Sequence, residues 1–183
     1  MQKKIVSEFD VNALTLIRDN VEKFMKNVAA TYADKGCEGK LLLDIAPQDH
    51  RGARPFFDKS ISVETLDIDS SSGATHIADL CKCADQIGHG KFDYIVCTEV
   101  LEHTRQPFDA CENIYNMLKS GGYVFATTPY NFRIHGPLPD CWRFTEHGLR
   151  ELFKKFVIVE LNSFETNDRF LMPIHYTLVA RKH

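Results

Sequence analysis

Several short apolar runs in this chain each end in an acid or a hydroxyl residue, and these endings limit the folds open to it. Lys40-Leu41-Leu42-Leu43-Asp44-Ile45 is one. Ile61 to Ile68 ends in Asp67, Phe92 to Cys97 runs into Thr98-Glu99, and Tyr123 to Thr127 runs into Thr128-Pro129. Continuous apolar runs of this length suit strands buried on both faces, as in a parallel sheet. A shorter strand is expected over 75–78, and two more over 157–159 and 176–180, the last two as an antiparallel pair.

Helical patterns alternate with these runs. Leu14, Ile17, Val21, Phe24 and Val28 form one stripe, which predicts a helix over about 10–33. Pro107 opens another, with Phe108, Cys111, Ile114, Tyr115 and Leu118 on its apolar face and Gly121-Gly122 as its expected stop. Thr145 is a suitable N-cap for a helix through about Lys155. Strands alternating with helices imply an α/β fold with helices on both faces of a mostly parallel sheet. One domain is expected over 1–183, divided into an N-terminal helical segment (1–39) and a core (40–183).

Composition narrows the function. Hydrophobic residues make up 44% and the net charge is −3, so a buried core is available and a broad nucleic-acid footprint is not expected. No run reaches the roughly 18–20 apolar residues that span a bilayer, and the start of the chain does not read as a signal peptide. Cys37, Cys81, Cys83, Cys97, Cys111 and Cys141 include no C-x-x-C pair, and reduced thiols in a cytoplasmic protein are expected.

In an open parallel sheet, ligands bind beyond the carboxyl ends of the strands. The residues there are Asp44, Asp67, Asp79, Thr98, Glu99 and Thr128. The spacing of Asp44 and Asp67 matches a first-strand loop followed by a ribose-binding acid. The glycine fingerprint of dinucleotide enzymes is absent, which argues against a nicotinamide cofactor. Glu99-Val100-Leu101-Glu102-His103 is the sharper signal. On a helical turn Glu99, Glu102 and His103 would share a face and suit a divalent ion such as Mg²⁺, Mn²⁺ or Zn²⁺; the plainer alternative is an exposed first helical turn. His135 lies in a loop stiffened by Pro129, Pro137, Pro139 and Trp142 that would reach the same place.

Together these segments resemble class I S-adenosylmethionine-dependent methyltransferases. The similarity runs over about 40–155 and is carried by Leu41 to Ile45, Asp67, Ala78-Asp79-Leu80, Phe92 to Val96, Glu99 to His103, Leu118 to Gly122 and Thr128-Pro129. His135 to Thr145 resembles a subgroup linked to sugar or polysaccharide methylation. The resemblance implies a Rossmann-like seven-stranded sheet with the last strand antiparallel. It implies cofactor-binding roles for Asp44, Ala46, Asp67, Ile68, Asp79, Leu80, Thr98 and Glu99. It also implies a divalent metal, Mg²⁺ or Mn²⁺, on Glu99, Glu102, His103 and His135, with Glu102, His103 and His135 as catalytic candidates.

One segment departs from the family. Its glycine-rich first loop is replaced by Asp44-Ile45-Ala46-Pro47-Gln48-Asp49-His50, with Gln48 and His50 able to intrude on the cofactor and Gly52 left to supply backbone freedom. The leading expectation is O-methylation of a small hydroxyl-bearing acceptor; Tyr130, Phe132 and Trp142 are candidates to line its pocket, with simple loop packing as the equal alternative. Two alternatives stay open: a methyltransferase-like binding protein that no longer catalyses, and an RNA 2′-O-methyltransferase. The N-terminal helix is left as a lid, a homodimer contact or core cover.

Overall fold

The computed structural model describes residues 6–33, 36–47, 52–167 and 170–183. Gln48, Asp49 and His50, and with them the expectation that Gln48 and His50 intrude on a cofactor, lie outside the described residues. Helix α1 (Glu8–Tyr32) begins where the Ser7 hydroxyl accepts the Asp10 N–H. Seven strands follow: β1 (Leu41–Ile45), β2 (Ser62–Asp67), β3 (His76–Ile77), β4 (Phe92–Thr98), β5 (Leu118–Pro129), β6 (Val157–Phe164) and β7 (His175–Arg181). Between them lie α2 (Ala84–Ile87), a 3₁₀ turn (Leu101–His103), α3 (Pro107–Met117) and α4 (Glu146–Leu152). The sheet order is β3-β2-β1-β4-β5-β7-β6, with β7 antiparallel to both its neighbours and the other pairs parallel. This is the expected Rossmann-like seven-stranded sheet.

The two-residue period of a strand divides the core. Leu43, Ile95, Cys97, Val124, Ala126 and Leu178 pack with α2, α3 and α4 on one face. Their chain neighbours Leu42, Tyr94, Val96, Phe125 and Val179 pack on the other, under Phe24, Met25, Val28 and Ala29 of α1. Both faces are covered, which explains why these strands read as continuous apolar runs. No helix among the described residues is long and apolar enough to cross a membrane.

One boundary differs from the sequence reading. Gly121-Gly122 does not end a helix. Helix α3 stops at Met117 and β5 starts at once, with a register shift between Phe92↔Leu118 and Tyr94↔Tyr123. A Cβ on Gly122 would lie 2.9 Å from the Asp93 carbonyl oxygen, so the bulge needs a residue without one. Asp93 ties the bulge down by pairing with Lys119 at 2.7 Å and Lys40 at 2.9 Å.

At the other end of the sheet, Gly52 fills the role left to it. Its φ is +57°, and an added Cβ would stand 2.3 Å from Asp44 Oδ2 and 2.8 Å from Pro47 Cβ. Replacing Gly52 with Ala should therefore destabilise the fold by more than the roughly 1–2 kcal/mol of left-handed backbone alone. Denaturant unfolding of the G52A variant against the parent checks this.

Candidate active site at the carboxyl edge of the sheet

The order of strands reverses between β1 and β4, so their following segments part and leave a crevice. Both strands are followed by a non-glycine residue in left-handed backbone: Ala46 at φ 49° and Glu99 at φ 54°. Such backbone is disfavoured for L residues and persists only where the surroundings fix it. Here the Ala46 N–H donates to the Leu66 carbonyl at 2.7 Å, and the Glu99 N–H donates to the Thr127 carbonyl at 3.1 Å. Ala46 occupies a glycine position of the family loop and takes the backbone glycine would take. Beside it, Asp44 is buried and accepts the Ala53 N–H at 2.6 Å. Burial pushes its carboxyl up to about 6 despite that bond.

The second and third strands supply another set. Asp67 is buried, and its Oδ1 accepts the Asp69 N–H at 2.9 Å. Ile68 next to it is 72% exposed, an uncovered apolar face at a strand end. The Ala78 N–H donates to the Asp67 carbonyl, which brings Asp79 alongside. Asp79 Oδ1 caps the Cys81 N–H at 2.9 Å, while the Leu80 side chain is buried in the core. Thr98 is half-buried at the mouth of the crevice.

Glu102, His103 and His135 converge. Their ligand atoms lie within 4.8 Å of one another. Glu102 is fully buried, and neither of its carboxyl oxygens has a hydrogen-bond partner. Its Oε1 stands 3.8 Å from His103 Nε2 and 3.9 Å from His135 Nε2. Burial first, then the charge of Glu99, push this carboxyl well above its ordinary range. The other ring nitrogens are occupied: His103 Nδ1 lies 3.0 Å from the Pro139 carbonyl, and His135 Nδ1 lies 3.3 Å from the Arg133 carbonyl and 3.1 Å from Asp140 Oδ2. With the protons on Nδ1, both Nε2 lone pairs face Glu102.

The loop carrying His135 is clamped to this turn. Cys141 N–H and Trp142 N–H both donate to the Glu102 carbonyl, and Trp142 Nε1 donates to the Thr104 carbonyl. Asp140 binds Arg143 in a fork, at 2.5 and 2.7 Å, and accepts the His135 N–H at 2.9 Å. The Arg143 guanidinium holds the Asp140 carboxyl down at about 2. So the expected stiff loop exists, but its aromatics divide. Phe132 packs on His135 with ring centroids 5.1 Å apart and lines the cleft. Trp142 and Tyr130 are not among the lining residues. Trp142 anchors the loop, and Tyr130 packs on Tyr176 with centroids 6.0 Å apart.

Glu99 departs from the expected metal set. The turn is 3₁₀ and starts only at Leu101, and the left-handed backbone at Glu99 takes it out of the helical phase assumed for positions i, i+3 and i+4. Its Oε1 instead accepts Thr127 Oγ1 at 2.8 Å and faces His175 Nε2 at 2.6 Å. Burial opposes its charge, yet His175 and the Thr127 bond hold the carboxyl below its ordinary range. His175 was not legible as a site residue. It opens β7 inside an apolar run, and only the strand register, which pairs it with Pro129 at the end of β5, places it at the site.

A cleft of about 1590 Å³ joins these parts. Its walls include Asp44, Ala46, Thr98, Glu99, His103, Phe132 and His135, and α1 closes one side along most of its length, from Asp10 to Ala30. Asp67, Ile68, Asp79 and Leu80 lie outside this cleft, toward β2 and β3.

Comparison with known proteins agrees with the fold. A family model described as a methyltransferase domain matches residues 15–161. No curated protein matches the sequence. Among solved structures, the cyclase SpnF superposes with a TM-score of 0.67 at 16% identity, covering 86% of this chain and 79% of its own. A SAM-dependent methyltransferase from Archaeoglobus fulgidus gives 0.66 at 16% identity, covering 90% and 94%. The Burkholderia thailandensis 1,6-didemethyltoxoflavin-N1-methyltransferase, solved with its substrate and S-adenosylhomocysteine, gives 0.62 at 16% identity, covering 100% and 93%. At these identities the structures speak for the fold.

The raised carboxyl of Asp44 has a stability signature. An acid whose pKa is higher folded than unfolded keeps its proton longest in the native state. Its contribution is full below the unfolded value and is lost as pH rises through the folded one. Between about pH 4 and 6 the parent should lose stability relative to an Asp44→Asn variant, which retains an acceptor for the Ala53 N–H. Paired melting curves across that window check the difference.

Proposed function

The chain belongs to the class I S-adenosylmethionine-dependent methyltransferases, through a methyltransferase-domain match that covers most of its length, and from that premise we propose that it O-methylates a small, sugar-like hydroxyl acceptor. The observation that carries the proposal is Glu102, a buried carboxyl with two unpartnered oxygens facing two histidine Nε2 atoms. Buried polar groups are almost always satisfied, so an orphaned pair of oxygens at a functional edge marks a place for a ligand or a proton.

Each chain residue has a task in this reading. Asp67 accepts the ribose hydroxyls, and exposed Ile68 gives adenine an apolar face. Asp79 borders the adenine edge, and Leu80, its side chain committed to the core, offers only backbone there. Ala46, Thr98 and Glu99 flank the methionine portion from the two strand ends, and the Glu99 carboxylate matches its cationic groups. The bound cofactor supplies a methyl group on a sulfonium, which carries its own leaving group. What remains for the protein is alignment of an oxygen in line with that methyl, and handling of one proton.

An alcohol ionises near the pKa of water, about 15.7, and is a poor nucleophile at neutral pH. His103 and His135 present Nε2 lone pairs at the cleft and can take the hydroxyl proton, a role typically worth about 10²–10⁴-fold. The donor set, one carboxylate and two imidazoles oriented by second hydrogen bonds, also fits Mn²⁺, and fits it better than the oxygen-preferring Mg²⁺. Glu102, His103 and His135 would hold such an ion, which lowers the pKa of an oxygen bound to it. Phe132 and the α1 wall shape the acceptor side. The acidic overall charge and the apolar lining favour a small molecule over RNA.

Calorimetric titration with S-adenosylhomocysteine should show binding to the parent protein. Mn²⁺ should raise the melting temperature of the parent and leave a Glu102→Gln variant unmoved. Without metal, the same variant should melt higher than the parent by about 2–6 °C, because it removes an acid whose ionised form is buried without partners. Binding of the nucleoside with no response to Mn²⁺ in either protein leaves the histidine base and removes the metal. A protein that binds no S-adenosyl nucleoside at all contradicts the methyl-transfer reading.

A further inference from the structure

Three elements meet at a residue that the strand-end pattern did not reveal. His175, at the start of β7, has no exposed surface. Its Nε2 lies 2.6 Å from Glu99 Oε1 after β4, and its Nδ1 lies 2.8 Å from Asn20 Nδ2 on α1. Glu99 in turn accepts Thr127 Oγ1 on β5 through that same Oε1. No hydrogen bond reaches its Oε2 among the described residues, and Glu99 lines the cleft. One carboxylate oxygen is thus held by the protein and the other is left for whatever enters.

An imidazole can satisfy both neighbours in only one neutral form. Asn20 Nδ2 is a donor, so Nδ1 must accept, which leaves the proton on Nε2 pointing at Glu99. The reverse tautomer would set a lone pair against a carboxylate oxygen and a proton against an amide N–H. Asn20 sits midway along a helix that borders the cleft on both sides of it, through Ile17 before and Val21 and Met25 after, while Phe24, Met25, Val28 and Ala29 pack on the sheet.

We propose that Asn20 and His175 are positioning residues for the cofactor: Asn20 selects the Nε2–H tautomer of His175, and His175 fixes the Glu99 carboxylate with Oε2 presented to the cofactor's cationic amino-acid end. The helix that walls the cleft is thereby part of the cofactor site, although Asn20 lines no part of the cavity. The proposal rests on the reading that an S-adenosyl nucleoside occupies this cleft.

Two measurements test it on the full chain. The first is calorimetric affinity for S-adenosylhomocysteine in Asn20→Ala, His175→Leu and His175→Gln, each confirmed folded by its melting curve. Loss of a hydrogen bond to a charged group predicts affinity weakened on the order of tenfold or more in His175→Leu and Asn20→Ala. His175→Gln keeps an N–H for Glu99 and should recover most of the loss. Tyr32→Phe, which removes the α1 hydrogen bond to Glu160 instead, should bind like the parent. Folded Asn20→Ala and His175→Leu proteins that bind like the parent, or a Tyr32→Phe protein that weakens as much, overturn the proposal.

The second is nitrogen NMR of ¹⁵N-histidine-labelled protein without ligand. His175 should carry its proton on Nε2 with Nδ1 bare, and Asn20→Asp, which offers only acceptors, should protonate Nδ1. A proton on Nδ1 in the parent overturns the proposal even if the nucleoside fails to bind. Failure of the parent to bind, with the expected tautomer present, counts against the methyl-transfer reading and not against the assigned proton.

Discussion

The pairing of β1 with both β2 and β4 is the constraint from which the site follows. Chain leaving β1 heads toward β2, chain leaving β4 heads toward β5, and the gap between them cannot be closed by either. The first residue beyond each strand turns sharply, and neither is glycine. Ala46 and Glu99 hold left-handed backbone because each N–H is captured by a neighbouring strand's carbonyl. Backbone of this sort costs energy at a non-glycine residue and persists only where its surroundings fix it, as these two bonds do.

Around that gap, two carboxyls three residues apart live in opposite electrostatic states. Glu99 has His175 and Thr127 and stays below its ordinary range; Glu102 has nothing on either oxygen and rises well above it. The charge on Glu99 is, after burial, one of the causes that raise Glu102. Under the proposed methyl-transfer reading this contrast divides the labour, Glu99 serving as a fixed charge and Glu102 as a group whose charge depends on what binds. The backbone of Glu102 takes part as well, since its carbonyl anchors Cys141 and Trp142 and so carries His135 into position.

The strands and their terminal acids were readable because burial on two faces leaves a continuous apolar run and because function at a sheet edge gathers polar residues there. Three things were not. The Gly121-Gly122 pair reads as a helix stop, and only the close approach of Gly122 to Asp93 shows that it serves a bulge. The helical phase assumed from Glu99 fails because a left-handed residue has no one-letter signature when it is not glycine or asparagine. Asn20 and His175 are separated by most of the chain, so nothing local links them. For Trp142 and Tyr130 the sequence leaves pocket lining and loop packing equally open, and hydrogen bonding and ring packing commit them to holding the loop.

The thiols carry a practical consequence. None of the six is joined in a disulfide among the described residues, but Cys37, Cys81, Cys83, Cys97 and Cys111 are buried, and burial raises Cys83 to about 11 and lifts Cys81, Cys97 and Cys111 as well. Only Cys141 faces solvent, and its own amide is bonded to Glu102. An alkylating dye applied to the native protein would therefore report from a single point, one residue from the Asp140 clamp, and its emission would register any displacement of the loop that carries His135 without a single residue having been changed.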